Sequence, residues 1–386
     1  MEEIKKIYLD NAATTIVAGE VKKAMLPYLG EHYGNASSIH TEGRYAREAI
    51  EKARKAIAGF INAKEKEIIF TGSGTESNNT VLKGLASFSG REKNQIITSK
   101  IEHPSVIETC KFLEKEGFEI IYLGVDSNGL VNLEELEKKI TQKTLLVSIM
   151  HANNEIGTIQ NINKIGKICK NKEVLFHTDT VQTFGKIAID VQADNIDFLS
   201  ASAHKIYGPK GVGLLYIRED RKIEPLLHGG GHEFNIRSST ENVAGIVGFG
   251  KAVELCREKM EKESRRISRL RDYLIKELLM IPGTQLNGSA SQRLYNNVNI
   301  SFRGIEGESL VLQLGMRGIA TSTGSACSTK NLEPSYVLSA IGLDHFTAHG
   351  SLRLTLGRNT SKKDILESVK NIQEVSEILR NISPIK

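Results

Sequence analysis

The sequence predicts an α/β protein with a large domain built on a mostly parallel sheet and a smaller α+β domain. Three observations support this prediction: a length of 386 residues, an alternation of short apolar segments with helical patterns, and a change of pattern near residue 295. A chain of this length exceeds one compact core of ordinary size, so two domains are expected. Strands that alternate with helices are typical of a mostly parallel sheet covered on both faces.

Seven apolar segments predict the strands of the large sheet. They lie at residues 67–70, 95–99, 118–124, 144–150, 174–178, 198–201 and 212–217. Helical patterns separate several of them, for example at 133–140 and 162–170. A further helix is predicted ahead of the sheet at 44–61, where apolar residues recur at helical spacing.

The rest of the chain predicts a bridging helix and the small domain. A highly charged helical stretch runs from about residue 240 to 279, and we interpret it as a helix that bridges the two domains. The segments that follow it are of α+β type and lie at residues 297–302, 306–316, 352–356 and 362–380. We therefore expect a large domain of residues 15–258 and a small domain of residues 1–14 and 259–386.

Composition excludes several classes of protein. A hydrophobic content of 40% and a charged content of 25% are typical of globular proteins. No apolar run reaches the roughly 20 residues of a membrane helix, and residues 1–6 have no signal-peptide core, so we expect a cytoplasmic protein. The net charge of +5, from 51 basic and 46 acidic residues, does not indicate nucleic-acid binding.

Asp179 and Lys205 are the most informative pair in the chain, because each follows a predicted strand. Pyridoxal phosphate needs such a pair: an amine that forms an imine with its aldehyde, and a carboxylate that keeps its ring nitrogen protonated. Gln182, one turn after Asp179, can donate to the phenolic oxygen of that cofactor. By itself Asp179 is more typical of a helix cap or a surface acid, and the flanking His177 and Gln182 favour the functional interpretation.

Residues 70–77 follow a predicted strand and open a helix, so they are a candidate anion site. Backbone N–H groups at a helix start, freed by glycine, bind anions. No Gly-Lys-Ser/Thr follows, and Ser77 stands where a dinucleotide fingerprint has its third glycine. Alone the segment is also typical of an ordinary turn; with Ser202 and His204 beside the lysine, Gly74 and Thr75 predict a cup for the cofactor phosphate.

Four further polar residues have both a structural and a functional interpretation. His103 follows the strand at 95–99 and either caps a helix or stacks on the cofactor ring, where an imidazole moves protons near neutral pH. Asn154 is a turn former or a ligand of the cofactor or the substrate carboxylate. Arg353 lies in a predicted strand and is either exposed or a bidentate clamp on an amino-acid carboxylate, with Asn35 sharing that task.

Cys327 differs from the other three cysteines. Cys110, Cys169 and Cys256 are widely separated, match no zinc spacing and are expected to be buried, inert thiols. Cys327 lies in the small, polar run 321–329, which predicts an exposed loop. Because an exposed free cysteine is a liability unless it is used, we predict that Cys327 is a nucleophile.

Together these residues resemble the cysteine desulfurases of group I, the nitrogen-fixation and iron–sulfur-cluster type, which belong to the class V aminotransferase-like family. The matching runs span nearly the whole chain in the family's order. They are residues 8–15, 33–38, 71–78, 102–106, 153–157, 177–182, 202–211, 228–240, 325–328 and 351–358. The sequence departs from the family pattern at Phe234-Asn235, where Arg-Gly is common, and at Ser239, which replaces a glycine.

The resemblance implies the fold of a type I pyridoxal-phosphate-dependent transferase, with a seven-stranded sheet, and a homodimer with its sites at the interface. It implies catalytic roles for Lys205, Cys327 and His103. The cofactor-binding residues that it implies are Gly74, Thr75, His103, Asn154, Asp179, Gln182, Ser202, His204, Lys205 and, from the partner subunit, Thr240. The substrate carboxylate would be held by Asn35, Asn154 and Arg353.

The implied activity is the conversion of L-cysteine to L-alanine, with the sulfur passed as a persulfide on Cys327 to an acceptor protein such as an iron–sulfur scaffold. No metal ligand is implied, apart from a transient contact of Cys327 with an iron–sulfur cluster. Other enzymes of the same fold, an aminotransferase or a selenocysteine lyase, stay open, although an aminotransferase has no need of a loop cysteine. A non-catalytic protein of this fold would be expected to lose Lys205 or Asp179. A metal-dependent hydrolase using His177, Asp179, His204 and Cys327 lacks a known ligand spacing.

Overall fold

The computed structural model describes residues 6–90, 92–324 and 334–383. Its strands are β1 (Ile7–Tyr8), β2 (Ile68–Thr71), β3 (Gln95–Ser99), β4 (Glu119–Leu123), β5 (Thr144–Ser148), β6 (Leu175–Asp179), β7 (Phe198–Ser202), β8 (Gly213–Ile217), β9 (Thr284–Leu286), β10 (Asn297–Phe302), β11 (Ile319–Ala320) and β12 (Ser351–Thr355). Its α-helices are α1 (Gly19–Met25), α2 (Thr41–Ala58), α3 (Gly74–Phe88), α4 (Pro104–Lys115), α5 (Leu133–Lys139), α6 (Ile162–Asn171), α7 (Val243–Leu279), α8 (Gly307–Met316), α9 (Tyr336–Ala340), α10 (His345–His349) and α11 (Lys362–Ile382).

The large sheet contains the seven predicted strands in the order β2-β8-β7-β6-β5-β3-β4. Neighbours pair in parallel from β7 to β4, and only β8 runs antiparallel to its two neighbours. The prediction of a mostly parallel, seven-stranded sheet is therefore confirmed. Because the strands of a parallel sheet need crossover connections, helices lie on both faces.

Residues of the sheet strands alternate between two apolar clusters. Ile68, Phe70 and Ile97 pack in the cluster that includes α2, α6 and the start of α7. Ile69 and Ile96 point the other way, into the cluster with α3 and α4. This alternation follows from the two-residue repeat of a strand, and it explains why these strands are apolar at almost every position.

A second, antiparallel sheet of order β12-β10-β9 forms the framework of the C-terminal part. It packs with α8, α11 and the last turns of α7 in a separate apolar cluster, to which Ile7 and Leu9 of the N-terminal segment also belong. Along α7, Cys256 is buried in the cluster of the large sheet and Ile267 in that of the small sheet. This change of cluster supports the predicted division at residue 258 and the assignment of residues 1–14 to the small domain, which stay predictions.

Side-chain caps fix the beginnings of the helices that border the large sheet. Ser73 accepts a hydrogen bond from the N–H of Glu76 at the start of α3, and Asn242 caps α7 in the same way through Gly245. Such caps satisfy N–H groups that have no partner within the helix. Among the described residues, no helix is long and apolar enough to cross a membrane.

Candidate active site

The predicted cofactor residues lie at the edge of the large sheet where the parallel strands end. Asp179 is the last residue of β6 and is level with Ser200 of the neighbouring β7. β7 ends at Ser202, and the single 3-10 turn Ala203–Lys205 places Lys205 just beyond that edge. Sites in open α/β sheets form outside the carboxyl ends of the strands. The topology therefore brings the predicted acid and the predicted lysine to one edge of the sheet.

Asp179 is buried and held by two hydrogen bonds. Its Oδ2 accepts from Asn78 Nδ2 at 2.7 Å, and its Oδ1 accepts from the N–H of Val181 at 2.9 Å. Asn78 also donates to Ser105 Oγ at 2.8 Å. These contacts fix the carboxylate in one orientation. The sequence analysis did not assign a role to Asn78, although its position one helical turn after Gly74 places it on the site side of α3.

His103 caps α4 and faces the same region. Its Nδ1 accepts from the N–H of Ser105 at 3.1 Å, so Nδ1 carries no proton in this arrangement and Nε2 is the protonated nitrogen. Burial lowers the pKa of His103, the charge of Asp179 raises it and the charge of Lys205 lowers it further. The imidazole is therefore neutral near pH 7 and lies within electrostatic reach of both groups. The capping role that the sequence left open is present.

Glu102, directly before His103, is a fully buried carboxyl group that the sequence analysis missed. Ser99 Oγ lies 2.6 Å from its Oε1, and the N–H of Met150 donates to both of its oxygens at 3.0 Å. Burial raises its pKa to about 8, against the opposing effect of those hydrogen bonds. The Glu102 carboxyl group therefore links the end of β3 to the segment after β5.

Lys205 lies under the N-terminal segment of the chain. Its Nζ donates to the carbonyl oxygens of Ala12 at 2.5 Å and Ala13 at 2.7 Å. Gln182 Nε2 donates to the same Ala12 oxygen at 3.1 Å. The structure thus brings Lys205 and Gln182 together, as predicted, around a backbone carbonyl that no side-chain motif indicates.

The predicted phosphate cup is formed by the start of α3 and the end of β7. A Cβ atom added at Gly74 would lie 2.6 Å from Val181 Cγ2 and 3.8 Å from Ser202 Cβ, so only glycine permits this close approach. The N–H groups of Gly74 and Thr75 have no hydrogen-bonding partner among the described residues, and Thr75 is exposed. Free N–H groups at the positive end of a helix form an anion site.

His204 lies beside this cup. Its Nδ1 is 3.1 Å from Thr14 Oγ1. Burial, together with the nearby charges of Lys205, Lys210 and Lys186, lowers the pKa of His204 to about 4. The concentration of cationic side chains around a neutral imidazole is an environment that favours a bound anion.

Arg353, in β12, is buried and faces the site. Its Nη2 pairs with Asp10 Oδ1 at 2.8 Å, and its Nη1 donates to the carbonyl oxygens of Asn154 at 3.2 Å and Gly324 at 3.4 Å. Arg353 Nε is buried and has no hydrogen-bonding partner among the described residues. The structure thus brings Arg353 and Asn154 together and decides against an exposed strand arginine. Asp10, which the sequence analysis missed, fixes the guanidinium.

Asn35 and Thr240 are both exposed. Asn35 Oδ1 accepts from the N–H of Ser37 in a local turn. Thr240 follows the segment that departs from the family pattern. There Phe234 adopts a positive φ of 56° and covers the guanidinium of Arg54, with its ring centroid 5.0 Å from Arg54 Cζ.

Cys327 lies outside the described residues, but the residues on either side of that segment contact one buried carboxylate. Ser335 Oγ donates to Glu155 Oε2 at 2.6 Å. On the other side, a Cβ atom added at Gly324 would lie 3.1 Å from the same oxygen. Glu155 therefore holds Ser335 by a hydrogen bond and lies close to Gly324, and burial raises its pKa.

The metal-dependent alternative finds no support in the described part of the chain, where no three His, Cys, Asp or Glu residues form a metal-binding group. His177 lies inside the sheet, with its two ring nitrogens 2.8 Å from Ser148 Oγ and 3.0 Å from Ser200 Oγ. Burial lowers the pKa of His177 to about 3. It is a neutral core residue whose nitrogens are already engaged.

Comparison with known proteins identifies the family. The model of the family described as "Aminotransferase class-V" matches residues 7–367. The chain belongs to the aminotransferase class-V family. It is 54% identical to the cysteine desulfurase IscS of Dictyoglomus turgidum over 383 residues, which cover 99% of this chain and 97% of that protein. It is 53% identical to the cysteine desulfurase IscS of Methanosarcina thermophila, covering 99% and 95% of the two chains.

Two solved structures agree with this assignment. A NifS-like protein has a TM-score of 0.92 and 40% sequence identity, with 97% of this chain and 100% of that chain covered. SspA in complex with cysteine has a TM-score of 0.81 and 38% identity, covering 91% and 99%. The resemblance and the fold class predicted from the motifs are therefore confirmed.

Pyridoxal phosphate is the cofactor of this family, and the donor set described above fits it. An amine at Lys205 and a buried carboxylate at Asp179 lie at one sheet edge, and a cup of N–H groups at Gly74 and Thr75 opens beside them. Gly74 allows the start of α3 to approach Val181 and Ser202 closely, since a Cβ atom there would lie 2.6 Å from Val181 Cγ2. These are the three features that the aldehyde, the pyridine nitrogen and the phosphate of the cofactor require.

Proposed function

We infer that the protein is a pyridoxal-phosphate-dependent cysteine desulfurase, which converts L-cysteine to L-alanine and delivers sulfur for iron–sulfur cluster assembly or other sulfur trafficking. The observation that carries this conclusion is an identity of 54% to a cysteine desulfurase over 99% of the chain. The geometry agrees with it, since Asp179, Lys205 and His103 face one region at the edge of the large sheet.

Each predicted side chain has a proposed task toward the cofactor. When bound, pyridoxal phosphate supplies an electron sink for the carbon from which the substrate loses a proton. Lys205 would hold its aldehyde, Asp179 would keep its ring nitrogen protonated, Gln182 would donate to its phenolic oxygen and His103 would stack on its ring. Gly74, Thr75, Ser202 and His204 would bind its phosphate, with Thr240 of the partner subunit reaching into the same cup.

Arg353 is the proposed partner of the substrate carboxylate. Asp10 holds one end of the guanidinium before the substrate arrives, while the buried Nε keeps an unused donor. A charge-assisted hydrogen bond to such a preoriented donor is stronger than one to a mobile side chain. Asn154, whose carbonyl oxygen already accepts from Arg353, and Asn35 would complete the carboxylate site.

The proposed sulfur transfer is redox-balanced without an added oxidant. The amine of Lys205 takes up and returns the proton of the substrate Cα, and neutral His103 carries protons beside it. The thiolate of Cys327 attacks the substrate sulfur, an S–S bond forms and the substrate C–S bond breaks. The electron pair of that bond stays with the carbon, which is protonated to give alanine, and the sulfur remains on Cys327 as a persulfide.

We propose that the active protein is a cytoplasmic homodimer that passes the persulfide to an acceptor protein such as an iron–sulfur scaffold. The exposure of Thr240, Tyr33, Ile39 and Phe234 supports a second copy of the chain as the occupant of this surface. The three described cysteines are free and buried, which is typical of proteins in a reducing compartment. A transient contact of Cys327 with an iron–sulfur cluster is part of the proposal; binding of nucleic acid is not.

The experiment combines a spectrum with a product assay. Purified protein should show a visible absorption band that Lys205→Ala removes, and it should release alanine and, with a thiol reductant, sulfide from cysteine. Cys327→Ser should abolish sulfide release while the band remains. Cys169→Ser, at a free, buried cysteine of α6, is the matched control and should retain activity. Full sulfide release by Cys327→Ser would refute the persulfide step.

Further substrate assays separate the two alternatives of the same fold, a selenocysteine lyase and an aminotransferase. Selenocysteine should be offered in parallel with cysteine, and alanine release from each compared. A strong preference for selenocysteine would make the protein a selenocysteine lyase. Transfer of an amino group to a keto acid, without sulfide, would make it an aminotransferase.

A further inference from the structure

Lys186 is a buried cation to which the proposed reaction assigns no task. It is 8% exposed, and among the described residues no carboxylate pairs with it. Burial, together with the charge of Lys205, lowers its pKa to about 7. A buried lysine without an acid partner is costly unless its location serves a purpose, because the ammonium loses its hydration.

The backbone turns after β6 place Lys186 next to Gln182. After β6, successive turns are closed by hydrogen bonds from Phe184 N to Thr180 O at 2.7 Å and from Ile187 N to Thr183 O at 2.9 Å. Gly185, at φ 70°, allows these turns to pack closely, since a Cβ atom there would lie 2.8 Å from Ile206 Cγ2 and 2.9 Å from Cys256 Sγ. This path brings residues 182 and 186 to the same side, one turn apart.

Both hydrogen-bond acceptors of Lys186 belong to Gln182. Lys186 Nζ donates to the Gln182 carbonyl oxygen at 2.9 Å and lies 3.5 Å from the side-chain Oε1. At the other end of the same amide, Nε2 donates to Ala12 O at 3.1 Å, and that oxygen also accepts from Lys205 at 2.5 Å. A flipped amide would place its NH2 group against the ammonium and its oxygen against the Ala12 carbonyl. Only one orientation of the amide is therefore favourable.

We propose that Lys186 is a positioning residue, which fixes the Gln182 amide with its Nε2 donor on the side of Ala12 O and Lys205, from which it would donate to the phenolic oxygen of the cofactor. The proposal rests on the proposed function and deepens it, because it assigns the control of that donor to a residue that touches neither cofactor nor substrate. A donor on the phenolic oxygen stabilises the deprotonated Lys205–cofactor linkage more than the protonated one, in which the oxygen already shares the proton of the linkage nitrogen. Loss of Lys186 should therefore raise the pH at which the linkage loses its proton.

The test is a pH titration of the visible absorbance of the holoenzyme, in the absence of substrate. Four proteins are compared: the unchanged chain, Lys186→Met, Gln182→Leu and the double variant. Lys186→Met should raise the titration midpoint by about 0.5 to 1 pH unit, the effect of one typical hydrogen bond. Gln182→Leu should raise it similarly, and adding Lys186→Met to Gln182→Leu should then change nothing. Lys167→Met is the control, since Lys167 is an exposed lysine of α6, and it should leave the midpoint unchanged.

Two results would overturn the proposal: an unmoved midpoint in Lys186→Met, or an equal shift with and without Gln182. The second result would make Lys186 a remote charge and not a positioning residue. If Lys186→Met does not fold, Lys186→Gln, which keeps a neutral donor, takes its place in the same cycle and is judged by the same two criteria. An unchanged chain that shows no cofactor band would refute the proposed function itself, whereas a band with an unmoved midpoint would refute only the role of Lys186.

Discussion

The substitution Glu233→Gln tests whether a buried ion pair stabilises the segment that leads to Thr240. Glu233 pairs with Arg54 through two hydrogen bonds of 2.9 Å, and both side chains are only 4% exposed. Glu233 Oε2 also accepts from the N–H of Phe70 at 2.8 Å. Glu233, Phe234 and Asn235 have φ values of 46°, 56° and 65°, a left-handed conformation that is costly for residues other than glycine. The buried pair is the interaction that offsets this cost.

The size of the effect follows from the donors that surround Glu233. An amide at this position can replace only one carboxylate oxygen as an acceptor, so its NH2 group must face a donor of Arg54 and the buried cation loses its counter-charge. Removing one partner of a buried ion pair costs about 3–5 kcal/mol. We expect the lower end, about 3 kcal/mol, because Arg54 keeps Glu51 at 3.2 Å and the carbonyl oxygen of Ile68. With an unfolding entropy of about 2.1 cal/mol/K per residue over 386 residues, the melting temperature should fall by about 4 °C.

Thermal unfolding followed by circular dichroism is the assay, with Glu51→Gln as the matched control. Glu51 binds the same guanidinium, but its side chain is 47% exposed, so the same chemical change there should lower the melting temperature by about 1 °C or less. The double variant Arg54→Met/Glu233→Gln should regain most of the loss, since it removes the unpaired cation. Equal melting temperatures for Glu233→Gln and Glu51→Gln would refute the reasoning.

Three further outcomes are expected from the site. Arg353→Lys should raise KM for cysteine by about 10- to 100-fold with a smaller change in kcat, because an ammonium cannot reproduce the planar set of donors; steady-state kinetics would contradict this if KM stayed the same. Burial raises the pKa of Glu102 to about 8 in the folded protein, above its unfolded value, so its contribution to the free energy of unfolding should be fully present at about pH 4 and decline by roughly 1.4 kcal/mol per pH unit as pH rises toward 8. Glu102→Gln should reduce the slope of the free energy of unfolding against pH in that range, as a denaturation series at several pH values would measure. An unchanged slope would assign it to another group. Iodoacetamide at pH 8 should alkylate Cys327 but not the three buried cysteines, whose pKa values burial raises to about 12, as peptide mass spectrometry will show.

The strands of the large sheet were predictable because burial on both faces makes them continuous apolar runs. The ends were less accurate: the segment predicted at 144–150 pairs only over Thr144–Ser148. Ile149 and Met150 are buried, and the N–H of Ile149 still donates to the carbonyl oxygen of His177 in β6, so the apolar run extends slightly past the end of the strand. The short helices α1, α9 and α10 were missed because each spans too few turns for a helical repeat to be recognised, although α5, also of seven residues, was predicted.

Site residues were predictable where the chemistry requires one type of side chain. The residues that hold those side chains in place were not predictable, because several types of side chain can do so. An acid and a lysine after two strands indicated Asp179 and Lys205, and the topology placed them at one edge. Asn78 and Asp10, which hold Asp179 and Arg353, carry no such requirement, since many side chains can hold a carboxylate or a guanidinium. The roles of the partner subunit and the position of Cys327 stay predictions.

The segment from Asp10 to Thr15 shows why a sequence motif can include residues whose side chains take no part in the reaction. Asp10 holds Arg353, the carbonyl oxygens of Ala12 and Ala13 accept from Lys205, and Thr14 Oγ1 contacts His204. One short stretch thus contacts the proposed substrate, cofactor and phosphate residues, and two of its contacts are made by backbone atoms. Backbone contacts depend on the path of the chain and not on the identity of the side chain. The small side chains of Ala12 and Ala13 suit a segment whose backbone lies close to Lys205. The N-terminal segment therefore acts as part of the site although, apart from Asp10, it contributes no ionisable group to it.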